Sequence, residues 1–197
     1  AEPNIIEDSG CLKIWIPSTV DGKYLLWADP GGGQRDGSYS VTVVCRLNPF
    51  QHEATMRGKW ESQVHAHKSV QLAKRYNDGV LGWERNNHGH GFANQVLNVE
   101  HYEKVFKYRP LVGHGIPQPG FPISGSTKAM IVDDFMELLH EDSFVTYSHN
   151  LVTEMRNWRH EIHEMLPAQG YYDDELMAIM EANWARKKIS ALLMKQL

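Results

Sequence analysis

Residues 24–29 read Tyr-Leu-Leu-Trp-Ala-Asp and run into Pro30 and the triplet Gly31-Gly32-Gly33. A short apolar run closed by turn residues is the signature of a buried strand rather than a helix. The stretch Lys23 to Ala28 therefore reads as a first strand, and Asp29 ends it with a carboxylate. The glycine-rich turn through Asp36-Gly37 leads to a second strand, Tyr39 to Leu47, and Glu53 to Trp60 reads as a third. Three strands joined by short turns form a meander.

Beyond the meander the apolar spacing changes. From Val64 to Tyr76, Val64, Val70, Leu72, Ala73 and Tyr76 recur at helical intervals. Gly79 to Trp83 reads as a short buried strand, Gly91 to Leu97 as a helix, and Val105 to Tyr108 as a strand. Thr127 to His140 is a helix, Phe144 to Tyr147 a strand, His149 to His160 a helix, and Asp173 to Ser190 a long amphipathic helix. Strands first, then strands alternating with helices, predict an α/β fold: a mixed sheet flanked by helices. Val112 to Ser126 reads as the one long loop, and the first twenty residues as a lead-in, so the domain is expected over 21–197.

Acids mark the ends of three of these elements. Asp29 closes the first strand, Glu84 follows Trp83, and Asp173-Asp174 open the last helix. Each has an ordinary local role as turn residue or helix cap. Together they suit a hard divalent cation, which takes oxygen ligands from a few carboxylates, water and substrate phosphate. Such a set fits phosphodiester cleavage.

Composition narrows the classes. The chain has 197 residues, 42% of them hydrophobic, a formal charge of −4 and a pI near 6.3. That is enough to bury a substantial core and gives no global basic signature for coating nucleic acid, so a DNA contact has to use a local patch or help from another domain, and binding by the isolated domain is expected to be weak. Cys11 and Cys45 have neither metal-ligand spacing nor a disulfide framework, which points to a reducing compartment. No segment reaches the roughly 20 apolar residues of a membrane helix, and Ala1 to Asp8 is unlike a signal peptide.

Several blocks carry a more specific pattern: Leu26-Trp27-Ala28-Asp29-Pro30 with Asp36-Gly37-Ser38-Tyr39-Ser40, Glu84-Arg85-Asn86-Asn87-His88-Gly89, Ser126-Thr127-Lys128 before Met130-Ile131-Val132-Asp133-Asp134-Phe135, and Asp173-Asp174-Glu175-Leu176-Met177-Ala178. In order and separation, over about residues 20 to 190, they resemble the C-terminal nuclease domain of phage terminase large subunits, which has a ribonuclease H-like fold. The resemblance implies metal-dependent endonucleolytic cleavage of concatemeric double-stranded viral DNA during genome packaging, in the host cytoplasm. It implies portal protein and small terminase subunit as partners, and an N-terminal ATPase motor that this chain lacks.

Carried over by resemblance, Asp29 is the first-strand metal ligand, Glu84 the carboxylate after the fourth strand, and Asp173 or Asp174 the ligand at the head of the last helix. Two Mg2+ or Mn2+ ions roughly 3.5 to 4 Å apart would activate water and stabilise the leaving oxygen. Asp29 is expected to bridge them from a central strand. Adjacent residues do not share a helix face, so one of Asp173 and Asp174 is expected to face the metals and the other to cap or meet solvent. Asp36 is a lesser candidate for the rim, with a turn role beside it. Tyr172 stands where many relatives have His, which puts a histidine ligand there in doubt.

For DNA contact the candidates are Arg85, Asn86, Asn87, His88 and Lys128, with Lys68, Lys74 and Arg75 as further basic positions. The Asn-Asn-His run serves equally to cap the following helix. Lys128 starts a helix, where a cation opposes the helix dipole, and that cost hints at a phosphate. Other motifs fail on spacing. Gly120 to Lys128 has Gly-Ser-Thr-Lys where a phosphate loop needs Gly-Lys-Ser/Thr, and His160-Glu161-Ile162-His163 lacks the i, i+4 histidines of a zinc protease. The pairs His65/His67 and His88/His90 lack further clustered ligands. Two alternatives stand beside the leading reading: a junction resolvase or transposase-type nuclease of the same fold, and a non-catalytic module that docks onto DNA or portal.

Overall fold

The structure, a computed structural model, describes the chain apart from residues 35–36, 110–114, 162–163 and 194–197. Its centre is a six-stranded sheet formed by β1 (Ile5–Glu7), β2 (Leu12–Ile14), β3 (Tyr24–Asp29), β4 (Ser40–Leu47), β5 (Phe50–Gly58) and β6 (Val80–Trp83). The spatial order is β1-β2-β5-β4-β3-β6. All neighbours are antiparallel except β3 and β6, which run parallel with Ala28 opposite Trp83. A parallel neighbour requires a crossover, and α1 (Ser62–Arg75) lies between β5 and β6 and supplies it.

The rest of the chain adds α2 (Gly89–Asn94), the two-residue strands β7 (Lys107–Tyr108) and β8 (Gln118–Pro119), α3 (Gly125–His140), α4 (His149–Asn157), the hairpin β9 (Trp158–Glu161) and β10 (Glu164–Pro167), and α5 (Asp174–Leu193). The sheet has an apolar layer on each face. Tyr24, Leu26, Ala28, Val44, Leu81 and Trp83 pack with α1 and α2, while Leu25, Trp27, Val41, Val43 and Cys45 pack with α3, α4 and α5. The alternation along each strand decides which residues share a face. Trp27 belongs to the α5 face, so Asp29, two residues on, points the same way.

Gly82 is required by this packing. A Cβ there would stand 2.3 Å from the Trp27 ring, so only glycine lets the indole lie across β6. Residues of β6 on the α5 face are thus Val80, Gly82 and, one step past the strand, Glu84.

Four expectations change. The presumed lead-in contains β1 and β2, and β2 pairs with β5 while the Trp15 and Ile16 amides donate to the Glu53 carbonyl; the alternation Leu12, Ile14 buries one side of this edge. The helix expected to reach His160 stops at Asn157, because Trp158 turns extended and opens a hairpin. Residues 144–147 form no full strand: Val145 makes a single bridge to Gln51, and His52 and Gln51 side chains bond Thr146 and Tyr147. Finally, α5 is not amphipathic in place. From Asp174 to Ala185 every residue is buried, since the sheet covers one side and α3 and α4 cover others. Part of the expected loop 112–126, Asp36, and two residues of the 160–163 motif lie outside the described residues.

Candidate active site

The acids meet at the C-terminal ends of β3 and β6. The Glu84 amide donates to the Ala28 carbonyl at 3.0 Å, which continues the parallel ladder by one residue and sets Glu84 beside Asp29 on the α5 face. Strand β3 is internal rather than central, flanked by β4 and β6. The two acids come from neighbouring parallel strands, where open α/β sheets bind ligands beyond the strand ends. Gly89 keeps this corner tight: a Cβ there would sit 2.1 Å from the Glu84 carbonyl oxygen.

The opposite wall is the start of α5. Asp173 precedes its first turn and Asp174 begins it, and both line the same cleft of about 540 Å3 as Asp29 and Glu84. The expectation that one of the pair turns away is not met. Asp174 is held by two groups: its Oδ2 accepts from the Tyr39 amide at 3.3 Å and stands 3.7 Å from the Arg57 guanidinium. Arg57 in turn donates to Glu154 at 2.8 Å. Glu154 also accepts from the Leu176 amide at 2.8 Å and from Asn150 at 2.9 Å, while Glu175 accepts from Asn150 and Thr55. Sheet and α4 thus clamp the first turn of α5 through buried polar bonds, which are costly to break.

The electrostatics are those of crowded, recessed acids. Burial raises the Asp29 carboxyl well above the ordinary carboxylate range, and Glu84, Asp174 and Asp173 push it further. Burial also raises Glu84 and Asp173, opposed in both by Lys128, and raises Asp174, opposed mainly by Arg57. Lys128 therefore faces the cluster from the first turn of α3, whose start is a capping box between Ser124 and Thr127.

Asn86, Asn87, His88 and Lys128 line the cleft, and Asn86 is braced by a bond to the Ile123 carbonyl. Asn87 sits at a φ of 45°, and His88 takes the N-cap position of α2 without a side-chain cap bond. Arg85 does not line the cleft: its guanidinium bonds Gln118. Lys68 and Arg75 pair with Asp8 and Glu7, away from it. His65 is buried against Thr42, and His67 bonds Glu100.

One acid was missed by sequence reasoning. Glu181 is wholly buried beneath the cluster; its Oε2 accepts from the Trp27 indole at 2.8 Å, and among the described residues its Oε1 has no partner. Burial holds its carboxyl well above the ordinary range, with Glu84 and then Asp29 adding to the shift. The available signal was spacing: Glu181 lies seven residues, two helical turns, after Asp174.

Among the described residues, no three His, Cys, Asp or Glu side chains stand close enough to form a ready-made ion cage. The donor chemistry nevertheless fits a hard divalent cation. The acids facing the cleft offer only oxygen, their mutual repulsion is what a cation relieves, and such ions are held by few carboxylates with water and phosphate completing the shell.

No protein-family model matches the chain, and no curated protein matches it in sequence. Solved structures do. The large terminase nuclease of thermophilic phage G20c with bound magnesium aligns over 93% of this chain and 90% of its own, at 18% identity and a TM-score of 0.74. The chain has the large-terminase nuclease fold. That fold, ribonuclease H-like, recurs in the Thermus phage P74-26 large terminase nuclease domain, with 92% and 87% of the two chains covered, 19% identity and a TM-score of 0.66. The human cytomegalovirus terminase nuclease domain matches at 13% identity and a TM-score of 0.57, over 84% of this chain and 85% of its own.

Proposed function

We propose that this chain is the nuclease domain of a terminase large subunit, a metal-dependent endonuclease that cuts concatemeric double-stranded viral DNA during packaging. One observation carries the reading. Asp29 and Glu84 leave adjacent parallel strands side by side and face Asp173 and Asp174 across one cleft. The same fold is found in terminase nucleases solved with bound magnesium, cobalt and zinc.

Asp29, Glu84, Asp173 and Asp174 would hold the divalent ions, Mg2+ or Mn2+, as a two-ion site. Bound there, the metal supplies Lewis acidity, which lowers the pKa of water and neutralises charge on the leaving oxygen. The protein's own part is positional. The Tyr39 amide and Arg57 hold Asp174 toward the cleft. Lys128 sets a positive charge opposite the acids, suited to a phosphate, and Asn86, Asn87 and His88 offer donors along the floor. Glu181, held by the Trp27 indole, is a further buried acid close enough to Glu84 and Asp29 to be raised by them. The domain includes the first twenty residues, because β1 and β2 complete the sheet. Portal protein, the small subunit and an ATPase motor are the partners of this reading, in the host cytoplasm. Its net charge of −4 makes DNA binding by the isolated domain weak and salt-sensitive.

Supercoiled plasmid incubated with Mg2+, Mn2+ or chelator tests the proposal. Nicking and linearisation should need metal and be lost in Asp29→Asn and Glu84→Gln. Metal-dependent cutting that survives both substitutions would place the activity elsewhere, and a preference for branched over linear DNA would favour a resolvase.

A further inference from the structure

A second cleft, of about 630 Å3, adjoins the acidic one. The partition between them is one residue thick at three places. Ser38, Asp173 and Asp174 line the acidic cleft, while their chain neighbours Tyr39, Tyr172 and Glu175 line the second. The two tyrosines meet edge to face with ring centroids 5.2 Å apart. Two cations stack on them: the Arg57 guanidinium 4.1 Å and the Lys59 ammonium 3.9 Å from the Tyr39 ring centroid, and 5.8 Å and 5.4 Å from that of Tyr172. Lys59 is held by the Gly37 carbonyl and Arg57 by Glu154, so the cluster is braced by the scaffold. Tyr172 remains 44% exposed, and Lys13 is exposed on the same cleft.

An aromatic face beside fixed cations is the chemistry that takes an unpaired base and its phosphate: the ring stacks with any base, and the cations neutralise the backbone. We propose that this second cleft is a nucleotide subsite, in which an unstacked nucleotide of the cleaved strand lies on the exposed Tyr172 ring, with its phosphate toward Lys13. A strand leaving the acidic cleft past Asp173 meets Tyr172 next, so the subsite holds the strand end beside the reacting phosphate. A duplex, whose bases are already stacked, gains nothing from this ring. The assignment rests on the nuclease reading for its role in cleavage, but the binding itself does not require activity.

The test is fluorescence anisotropy of the intact chain, in chelator, with a labelled single-stranded oligonucleotide of about ten nucleotides, a length suited to such grooves. A 2-aminopurine base in the same oligonucleotide reports stacking. Tyr172→Ala is expected to weaken single-strand binding about tenfold and to abolish the 2-aminopurine quench, while Tyr172→Trp keeps both and blunt duplex binding is insensitive to residue 172. Unchanged single-strand affinity in Tyr172→Ala, with its melting temperature unchanged, overturns the proposal. Failure of the native chain to bind the oligonucleotide also overturns it and would leave the cleft to a protein partner. Plasmid cutting that survives Asp29→Asn and Glu84→Gln would sink the nuclease reading alone, because the stacking signal does not depend on it.

Discussion

Helices α1 and α5 pack on opposite faces of one sheet and bury polar groups of opposite character. Behind α1, His65 and Ser69 meet Thr42 in a neutral cluster, with His65 Nε2 2.7 Å and Ser69 Oγ 2.8 Å from the Thr42 hydroxyl. Behind α5 the buried groups are acids, Asp174, Glu175 and Glu181, joined by Glu154 from α4. A neutral cluster is adequate for filling a core at modest cost. Buried carboxylates are expensive unless paired: Glu53 is matched by Arg46 at 2.6 Å, whereas several acids gather on the face where Asp29 and Glu84 emerge. The contrast separates a face built for packing from one where stability is given up around a charged cleft, and such concentrations of perturbed acids mark functional sites.

The largest expected effect breaks the symmetry outright. Asp29→Asn or Glu84→Gln should lower metal-dependent plasmid cleavage by on the order of a hundredfold or more, as loss of a preorganised charge at a reacting centre does. His65→Asn, on the other face, should leave cleavage per folded molecule intact while lowering the melting temperature. Equal losses of cleavage in both would erase the functional distinction between the faces.

Metal should also be felt only on the α5 side. Saturating Mg2+ or Mn2+, at about a hundred times its dissociation constant, is expected to stabilise the native chain by about 2.7 kcal/mol and to stabilise Asp29→Asn much less. Differential scanning calorimetry with and without chelator measures this, and an equal shift in both proteins would count against cation binding at Asp29.

The two faces should respond to pH in opposite directions. Burial lowers His65 from 6.5 to about 3, so the unfolded chain takes up a proton first. Its contribution is present above about pH 6.5 and is lost as pH falls toward 3. Burial raises Glu154 from 4.5 to about 7, so the folded chain holds its proton longer. That contribution is present below pH 4.5 and is lost as pH rises through 7. Each slope is at most about 1.4 kcal/mol per pH unit, and between pH 4.5 and 6.5 they offset. Measured against the native chain by urea unfolding across this range, stability should fall more steeply with rising pH in His65→Asn and less steeply in Glu154→Gln.

The smallest effect concerns Glu181. Glu181→Gln keeps an acceptor for the Trp27 indole and removes a buried acid, so at pH 8 without metal it should raise stability by roughly 1 kcal/mol. A large destabilisation would mean that the carboxylate itself, not its shape, holds the floor of the site.

Much of this was legible in the chain. The run Tyr24 to Asp29, the alternation along β4, the helical spacing of α1 and the acids at element ends all follow from local chemistry, because strand and helix periods are written in consecutive residues. The edge strands β1 and β2, three residues each, were too short to show a period, and the β9–β10 hairpin was hidden behind a helical pattern. Roles that depend on distant partners were out of reach. Arg57 reads as a strand cation until Asp174, over a hundred residues later, folds beside it, and Glu181 reads as a helix-surface acid until α3 and α4 close over α5. The sequence by itself determined four strands of the sheet, most of the helices and the carboxylates available for a hard cation. Only the tertiary structure decided that both Asp173 and Asp174 face the cleft, that Arg85 does not, and that Tyr39 and Tyr172 share a wall, since burial and charge proximity arise when segments far apart in sequence pack together.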